Sequence, residues 1–221
     1  MDMLLEQFLN IEVMKACFPM LVDGLWVTLR LCLLVIPVGC VAGLLTALAC
    51  LSSSRPLRIG AIIFTDLFRA VPPLVLLILI YSGLPFAGLH LSPMQAVALA
   101  FMLNNAAYYG EVLRAGIQSV GRGQREAARS TGLNAWQTLL WVVLPQAVRN
   151  VLPDLISNTI EVIKLTSLAS VVSLAEILYA ADMARSLTYN ASPLVLAAGF
   201  YLVMIWPLVR LISRFERRVE E

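Results

Sequence analysis

The chain has 221 residues, enough for one domain. Apolar residue types make up 60% of it, charged residues only 14%, and the mean hydropathy is +0.84, whereas soluble domains are about half apolar and about a quarter charged. This composition excludes a freely soluble enzyme, and 16 basic against 14 acidic residues leave no basic face that could follow a nucleic acid backbone.

Long uncharged runs predict the membrane-spanning helices, because about 20 apolar residues are needed to cross about 30 Å of hydrocarbon. In chain order, the runs that qualify are residues 31–54, 70–89, 91–110 and 186–209. Residues 153–179 are also long and apolar enough, although they contain Glu161, Lys164 and Glu176. We therefore predict an all-α polytopic membrane protein with five spans.

The segments around these runs complete the predicted layout. Residues 1–25 carry four acidic side chains and one lysine, unlike a cleavable signal peptide, so we expect a short amphipathic segment on the outer surface over residues 1–20. The Pro72-Pro73 step should kink the second span, with Asp66 and Arg69 paired at its start. The shorter run 133–148 is interrupted by a proline and is predicted to be interfacial or to lead into the fourth span.

The basic residues predict the orientation, because loops rich in lysine and arginine stay in the cytoplasm. An outside N-terminus and a cytoplasmic C-terminus leave only Lys15 and Arg185 on the outer side. The basic residues placed on the cytoplasmic side are Arg55, Arg58, Arg114, Arg122, Arg125, Arg129, Arg149, Arg210, Arg214, Arg217 and Arg218.

The longest cytoplasmic segment lies between the third and fourth predicted spans. Residues 124–131 are predicted to form a helix with Ala127 and Ala128 side by side on its surface. Gly132 should end this helix in a left-handed turn, and Asn134 should cap a second short helix. Two short helices at an angle would form a protrusion that fits a groove on a partner protein.

This segment has a specific spacing: Glu126-Ala127-Ala128, three residues, Gly132, nine residues, then Val142-Val143-Leu144-Pro145. The spacing resembles the EAA loop of the membrane subunits of ATP-binding cassette (ABC) importers. Further matches point to the subfamily that imports polar amino acids. They are Gly24-Leu25 with Thr28-Leu29, Phe68-Arg69 with Pro72, Tyr81, Gly83-Leu84-Pro85, Ala107-Tyr108, Glu111-Val112, Arg114, residues 116–120, Gly123-Gln124, residues 144–147, and Lys164 with Thr166-Ser167-Leu168.

The resemblance implies a five-helix permease of the type I importer fold in the bacterial cytoplasmic (inner) membrane. It implies a single transmembrane domain over residues 1–221, with a cytoplasmic coupling loop over residues 121–145. Such a permease pairs with an identical or homologous second permease and sits on two ATPase subunits. It receives a small polar amino acid or amino acid derivative from a periplasmic substrate-binding protein.

The residues of this chain agree with the binding of ATP by a separate subunit. A phosphate-binding loop needs a lysine after a glycine, and the only lysines, Lys15 and Lys164, follow Met14 and Ile163. We therefore expect no catalytic site in this chain, with ATP and Mg²⁺ bound by the partner ATPase. Four cysteines without Cys-x-x-Cys spacing and a single histidine also predict no cofactor and no metal site.

In the mechanism that the resemblance implies, the ATPases contact the loop and tilt the membrane helices. The small alanines would allow close approach, Gly132 would set the angle of the loop, and Arg122, Arg125 and Arg129 would lie on exposed faces. The residues predicted to couple to the ATPase are Glu126, Ala127, Ala128, Arg129 and Gly132.

Two groups of polar residues at membrane depth are candidates for the substrate path. Glu161 and Lys164 are three residues apart on one helix face, so they either neutralise each other or line the path together with Thr166 and Ser167. In the second case Lys164 would donate to a carboxylate and Glu161 would accept an ammonium group.

The second group lies on the third span, where Asn104, Tyr108 and Glu111 form one stripe. Asn104 and Tyr108 are predicted to line the path, and hydrogen bonding between packed helices is the alternative. Glu111 is predicted to form a structural ion pair with Arg114.

Some positions depart from the subfamily pattern and make the predicted path less polar: Ala70-Val71, Leu76 and Leu165. Either the cargo is less basic than arginine or histidine, or this chain is the half of a heterodimer that does not hold substrate. The rival functions are an ATP-independent channel and an intramembrane hydrolase. No Gly-x-Ser-x-Gly elbow supports the hydrolase, and no repeated acidic sequence supports the channel.

Overall fold

The computed structural model describes residues 2–220, with side chains from residue 3 to residue 213. Arg214, Arg217 and Arg218, which the predicted orientation uses, lie outside the described side chains. The described chain is built from helices and the turns that join them. The α-helices are α1 (Asp2–Phe8), α2 (Ile11–Cys50), α3 (Arg55–Ala70), α4 (Pro73–Ile78), α5 (Pro93–Ser119), α6 (Arg122–Ser130), α7 (Ala135–Gln137), α8 (Leu144–Asn150), α9 (Leu152–Leu165), α10 (Ile177–Thr188) and α11 (Ser192–Glu220).

Helix α2 is longer than the first predicted span. Asn10 caps its start by accepting hydrogen bonds from the backbone amides of Glu12 and Val13, both at 3.1 Å. The helix then continues for 40 residues, which corresponds to about 60 Å, or about twice the hydrocarbon thickness of a bilayer. The separate amphipathic segment predicted for residues 1–20 is therefore limited to α1, and residues from Ile11 onward belong to α2.

The second predicted span is a bent pair of helices. Helix α3 and the segment Pro73–Ala87 meet at an angle of 102°, which confirms the kink predicted at Pro72-Pro73. Residues 55–69 lie outside the predicted spans, but they belong to the 16-residue helix α3. Beyond α4 the chain continues as a π-helical turn, Leu79–Gly83, and a 3-10 turn, Leu84–Ala87.

The bend leaves a backbone carbonyl without its helical partner. In a continuous helix the carbonyl of Phe68 would accept from the amide of residue 72, but Pro72 has no N–H. The side-chain amide of Asn104 on α5 donates to that carbonyl at 2.9 Å instead. A side chain from the neighbouring helix thus satisfies the polar group that the proline exposes.

Helix α5 packs closely against α2 through glycines. A Cβ atom on Gly43 would lie 2.5 Å from Cβ of Tyr109, and one on Gly110 would lie 3.1 Å from Cβ of Thr46. Gly39 faces Asn105 in the same way, with 3.2 Å between the added atom and Cβ of Asn105. Small residues let the two backbones approach, so that van der Waals contact holds the helices together inside a membrane.

The second half of the chain differs from the predicted fourth and fifth spans. After α9 the backbone tightens into a 3-10 helix, Thr166–Val172, and Ser173 adopts a left-handed conformation with φ of 58°. Helix α10 then carries the residues that were predicted to end one span and begin the next. A second left-handed residue, Tyr189 at φ of 50°, precedes α11.

The helices that are long and apolar enough to cross a membrane are Met3–Cys50, Leu152–Val172 and Ser192–Ser213, with a fourth crossing if the bent pair counts as one. The predicted fourth span therefore ends near Val172 rather than at residue 179, and the fifth begins near Ser192 rather than at residue 186. Helix α5 has 27 residues but is less apolar, since its middle carries asparagines and tyrosines, of which Asn104, Asn105 and Tyr109 are buried and Tyr108 is 37% exposed. The count of five spans stays a prediction.

The close packing of α2 on α5 gives a first test. Replacing Gly43 by Ala should destabilise the protein by about 1 to 3 kcal/mol, because the added methyl meets the α5 backbone and overpacks the contact. Replacing Gly60 by Ala is the matched control, because no described atom lies within 4 Å of its Cβ position and alanine favours the helix. Thermal unfolding in detergent should show a lower midpoint for Gly43→Ala alone; equal midpoints would contradict this packing.

Candidate functional site

The loop between α5 and α9 has the predicted two-helix form. Helix α6 ends before Gly132, whose φ of +91° is the expected left-handed conformation. Asn134 then forms a capping box with Gln137, in which each side chain bonds the other's backbone amide at 2.9 Å. Helix α7 continues into a π-helical segment, Thr138–Val143, and into α8. The left-handed glycine and the asparagine cap are confirmed.

The alanine pair on α6 is not wholly on the surface. Ala127 is exposed, but Ala128 is only 7% exposed. The prediction that both alanines face outward was therefore wrong for Ala128, because α6 packs that side against the π-helical segment. Glu126 and Arg129 are exposed, so the outer face of α6 offers Glu126, Ala127 and Arg129 to a partner.

Arg125 fixes the loop to the membrane helices. Its Nη2 atom donates a hydrogen bond to the backbone carbonyl of Ile117 near the end of α5. The side chain is half-buried, which corrects the prediction that Arg125, like Arg122 and Arg129, lies on an exposed face. Because the carbonyls of the last helical turn lack backbone partners, an arginine is well suited to bind one of them. Helix α6 and α5 are thereby tied together.

Helix α9 presents a polar face to its surroundings. Asp154, Ser157, Glu161 and Lys164 are exposed and recur at helical spacing. Nζ of Lys164 lies 3.3 Å from Oε2 of Glu161, with side chains 56% and 59% exposed. This ion pair is one of the two alternatives that the sequence left open for these residues. Charged groups in an apolar helix need a partner or water, so this face is not suited to contact lipid.

The two hydroxyl residues after Lys164 bond to their own helix. Thr166 is fully buried, and its hydroxyl donates to the carbonyl of Ile163 at 2.6 Å. The hydroxyl of Ser167 donates to the carbonyl of Lys164 at 2.8 Å. In this chain Thr166 does not share the exposed face of Lys164, because the 3-10 turn that starts at this residue directs it inward.

The stripe on α5 divides into a buried part and an exposed part. Asn104 is 1% exposed and makes the helix-to-helix hydrogen bond described above, which is the packing alternative. Tyr108 is 37% exposed, and the guanidinium carbon of Arg69 lies 5.6 Å from its ring centre. This is a cation–π arrangement. Only Tyr108 of this predicted pair is open to a solute.

Two ion pairs were predicted near this end of α5, Glu111 with Arg114 and Asp66 with Arg69, and the structure contains the first of them. Nε of Arg114 donates to Oε2 of Glu111 at 2.9 Å, as predicted. Asp66 and Arg69 do not form the predicted ion pair among the described side chains, because Arg69 faces Tyr108. Arg69, Asp66, Glu111 and Arg114 instead line a cavity of about 300 Å³ between α3 and α5.

Glu176, for which no role was predicted, is completely buried. Its two carboxylate oxygens accept hydrogen bonds from the backbone amides of Leu178 and Tyr179 at 2.8 Å, and the hydroxyl of Tyr201 donates to it at 3.1 Å. The carboxylate thereby caps α10 and joins it to α11. A Glu at a helix start is a weak cap signal in sequence, which is why only its charge drew notice.

The hydrogen bond from the side-chain amide of Asn104 to the carbonyl of Phe68 gives a second test. Asn104→Ala should lower the stability by about 1 to 3 kcal/mol, since the carbonyl of Phe68 is left without a partner. Asn105→Ala is the control, because Asn105 is equally buried, donates to the carbonyl of Phe101, which already accepts within α5, and otherwise accepts only a long hydrogen bond from Asn158, at 3.4 Å. The unfolding midpoint in detergent should fall further for Asn104→Ala; a larger fall for Asn105→Ala would overturn this assignment.

Comparison with known proteins shows what this architecture is similar to. The family model for the binding-protein-dependent transport system inner membrane component matches residues 36–221. The probable glutamine ABC transporter permease protein GlnM of Bacillus subtilis (strain 168) is 33% identical, over 96% of this chain and 99% of that protein. The glutamate/aspartate import permease protein GltK of Escherichia coli O157:H7 is 35% identical, over 90% of this chain and 93% of that protein.

Solved structures give the same picture. A chain from the crystal structure of an amino acid ABC transporter with histidines superposes with a TM-score of 0.85 and 37% identity, over 95% of this chain and 98% of that one. A chain of the inward-facing MetNI methionine ABC transporter matches in fold, with a TM-score of 0.75 at 19% identity, over 90% of this chain and 96% of that one. As the EAA-loop resemblance predicts, the chain belongs to the family of binding-protein-dependent transport system inner membrane components.

Proposed function

We propose that this chain is the permease subunit of an ATP-driven importer, and that it forms, with a second permease, the path for a polar amino acid or amino acid derivative. The observation that carries the proposal is the two-helix loop, which combines an exposed outer face on α6 with a firm attachment to α5. Relatives named for glutamine and for glutamate and aspartate support the substrate class.

The proposed partners follow from the family. Two ATPase subunits bind ATP and Mg²⁺ and contact Glu126, Ala127 and Arg129, while Ala128 supports α6 from behind. A periplasmic binding protein delivers the solute at the other end of the bundle. In this arrangement the protein lies in the bacterial inner membrane with its N-terminus outside and its C-terminus in the cytoplasm, as the basic residues predict.

Coupling is proposed to run through the contacts that fix the loop. A displacement of α6 would be transmitted to α5 through the hydrogen bond from Arg125 to the carbonyl of Ile117. From α5 it reaches α2 through the glycine contact, and the bent pair through Asn104 and the carbonyl of Phe68. Rigid elements joined in this way move as bodies about an interface, which is the motion that alternating access requires.

The solute path is proposed to run along the polar face of α9, covered by the second permease. Glu161 and Lys164 present one negative and one positive charge, and a free amino acid carries both charges in complementary positions. Tyr108 with Arg69 adds a further polar surface on α5. Thr166 and Ser167, whose hydroxyls bond to their own helix, would position Lys164 rather than contact the solute.

The left-handed glycine of the loop gives a direct test of coupling. Gly132→Val should strain the turn, because φ of +91° is disfavoured for a side chain with a Cβ, by about 1 to 2 kcal/mol. The angle between α6 and α7 should change, and ATP hydrolysis stimulated by loaded binding protein should fall at least about tenfold, a change equivalent to about 1.4 kcal/mol. Membrane insertion should be unchanged.

Gly60→Val serves as the control, because Gly60 is also free of described neighbours within 4 Å but has ordinary helical geometry. The assay uses the transporter reconstituted in proteoliposomes, with insertion measured by extraction and gel filtration. Normal stimulation of ATP hydrolysis in Gly132→Val would contradict the proposed role of the loop.

Variants of the ion pair between Glu161 and Lys164 can distinguish a role in the solute path from a purely structural role. Lys164→Gln should raise the KM for uptake about tenfold or more, because the solute carboxylate loses a charge-assisted hydrogen bond. The double variant Glu161→Lys with Lys164→Glu keeps an ion pair on the same helix face, so its stability should equal that of the wild type. Its uptake should stay impaired, since the two charges have exchanged places. Wild-type uptake by the double variant would show that the pair is only structural.

A further inference from the structure

An apolar groove lies beside the loop, apart from the polar path on α9. It has a volume of about 640 Å³, within the range of about 300 to 1,000 Å³ that is common for ligand sites. One wall comes from the last turns of α2 and from the start of α3, and the other from α7 and the residues that follow it. The apolar lining includes Leu45, Leu48, Leu57, Ile117 and Leu139.

One charged side chain lines this groove. Arg125 uses Nη2 for the carbonyl of Ile117, but its Nε atom is buried and has no hydrogen-bond partner in the described part of the chain. A buried donor without a partner is costly, and a guanidinium group binds phosphate oxygens through neighbouring N–H groups. No aspartate or glutamate is among the residues that line the groove. The groove thus offers a positive charge at one point of an apolar surface.

The groove lies where we expect the boundary between the hydrocarbon and the headgroups of the membrane. Its first wall is the end of the 40-residue apolar helix α2, where Ser52 and Ser53 begin the turn into α3. Trp136 also lines it and is 66% exposed, and Trp141 nearby in sequence is 65% exposed. Tryptophan is enriched where hydrocarbon meets headgroups. Arg55 and Arg58 flank Leu57 in the sequence and are exposed, which adds positive charge beside the lining.

We propose that this groove binds one anionic phospholipid from the leaflet on the loop's side of the membrane. An acyl chain would lie against the leucines, and the phosphate would accept hydrogen bonds from Arg125. Basic pockets between membrane helices are suited to anionic headgroups. The bound lipid would bridge α2 and α3 to the loop that is proposed to contact the ATPase. The site is independent of which solute is carried.

The occupant is a lipid rather than a soluble subunit because of where the apolar lining lies. It begins at the end of a membrane helix and includes an exposed tryptophan, whereas the outer face of α6 is strongly polar and suits a soluble partner. A lipid supplies both required parts, an acyl chain for the leucines and a phosphate for the guanidinium group. Arg125 would then hold the loop to α5 through one nitrogen and to the lipid through another.

The test measures lipid binding to the purified transporter by native mass spectrometry. Phosphatidylglycerol and phosphatidylcholine are titrated separately into the delipidated complex. The wild type should bind phosphatidylglycerol about tenfold more tightly, because both lipids present a phosphate to Arg125 but the trimethylammonium group of phosphatidylcholine offsets the charge of its phosphate. Arg125→Gln should reduce this preference to about twofold or less. Ala49→Phe, which places a ring in the groove and leaves Arg125 intact, should weaken binding of both lipids.

Arg149→Gln is the matched control, because Arg149 is an exposed arginine that does not line the groove. It should bind both lipids as the wild type does. Equal affinity of the wild type for the two lipids would overturn the proposal. So would equal losses in Arg149→Gln and Arg125→Gln, which would indicate general attraction to a basic surface. Cross-linking of a Trp136→Cys variant to the ATPase in the complete transporter, with no retained phosphatidylglycerol, would assign the groove to the protein partner.

Discussion

The contact between α2 and α5 is the interaction on which the rest of the structure depends. Gly43 and Gly110 bring the two backbones so close that a single added methyl group would collide. Within a membrane, apolar side chains gain little by leaving lipid, so such close van der Waals packing is what holds helices together. Once α5 is fixed in this way, its buried amides, its exposed Tyr108 and its last carbonyls have defined positions. The bent pair, the loop and α9 are all attached to this frame.

A second constraint decides which polar residues are structural. Asn104 satisfies the carbonyl that Pro72 leaves free, Glu176 caps α10 and receives the hydroxyl of Tyr201, and Arg125 binds the end of α5. Each of these groups is used inside the chain. Exposed polar side chains also recur at helical spacing along one face of α9, including Glu161 and Lys164. Since exposed charge does not suit lipid, we place the proposed second permease and the proposed hydrated path at this face.

The sequence predicted much of the local structure and less of the packing. Helix ends with strong signals, such as Gly132, Asn134 and the proline step at Pro72, were predicted correctly because their cause lies within a few residues. The inward side of Ala128 and the half-burial of Arg125 depend on which face of α6 meets the π-helical segment, which spacing alone does not determine. Helix α3 was missed because the spans were predicted from uncharged runs, and this segment contains Arg55, Arg58, Asp66 and Arg69. The break after α9 was missed because a run of apolar residues conceals a 3-10 turn and a left-handed serine.

We propose that this chain moves solute only when a separate ATPase acts on the loop. The most direct measurement is uptake of radiolabelled amino acids into proteoliposomes that hold this chain with its partner permease and ATPase, with loaded binding protein added on one side. Uptake should require ATP, the ATPase and the binding protein together, and one polar amino acid should stimulate ATP hydrolysis more than the others. Uptake at the same rate by this chain without the ATPase, as from a channel, would contradict it.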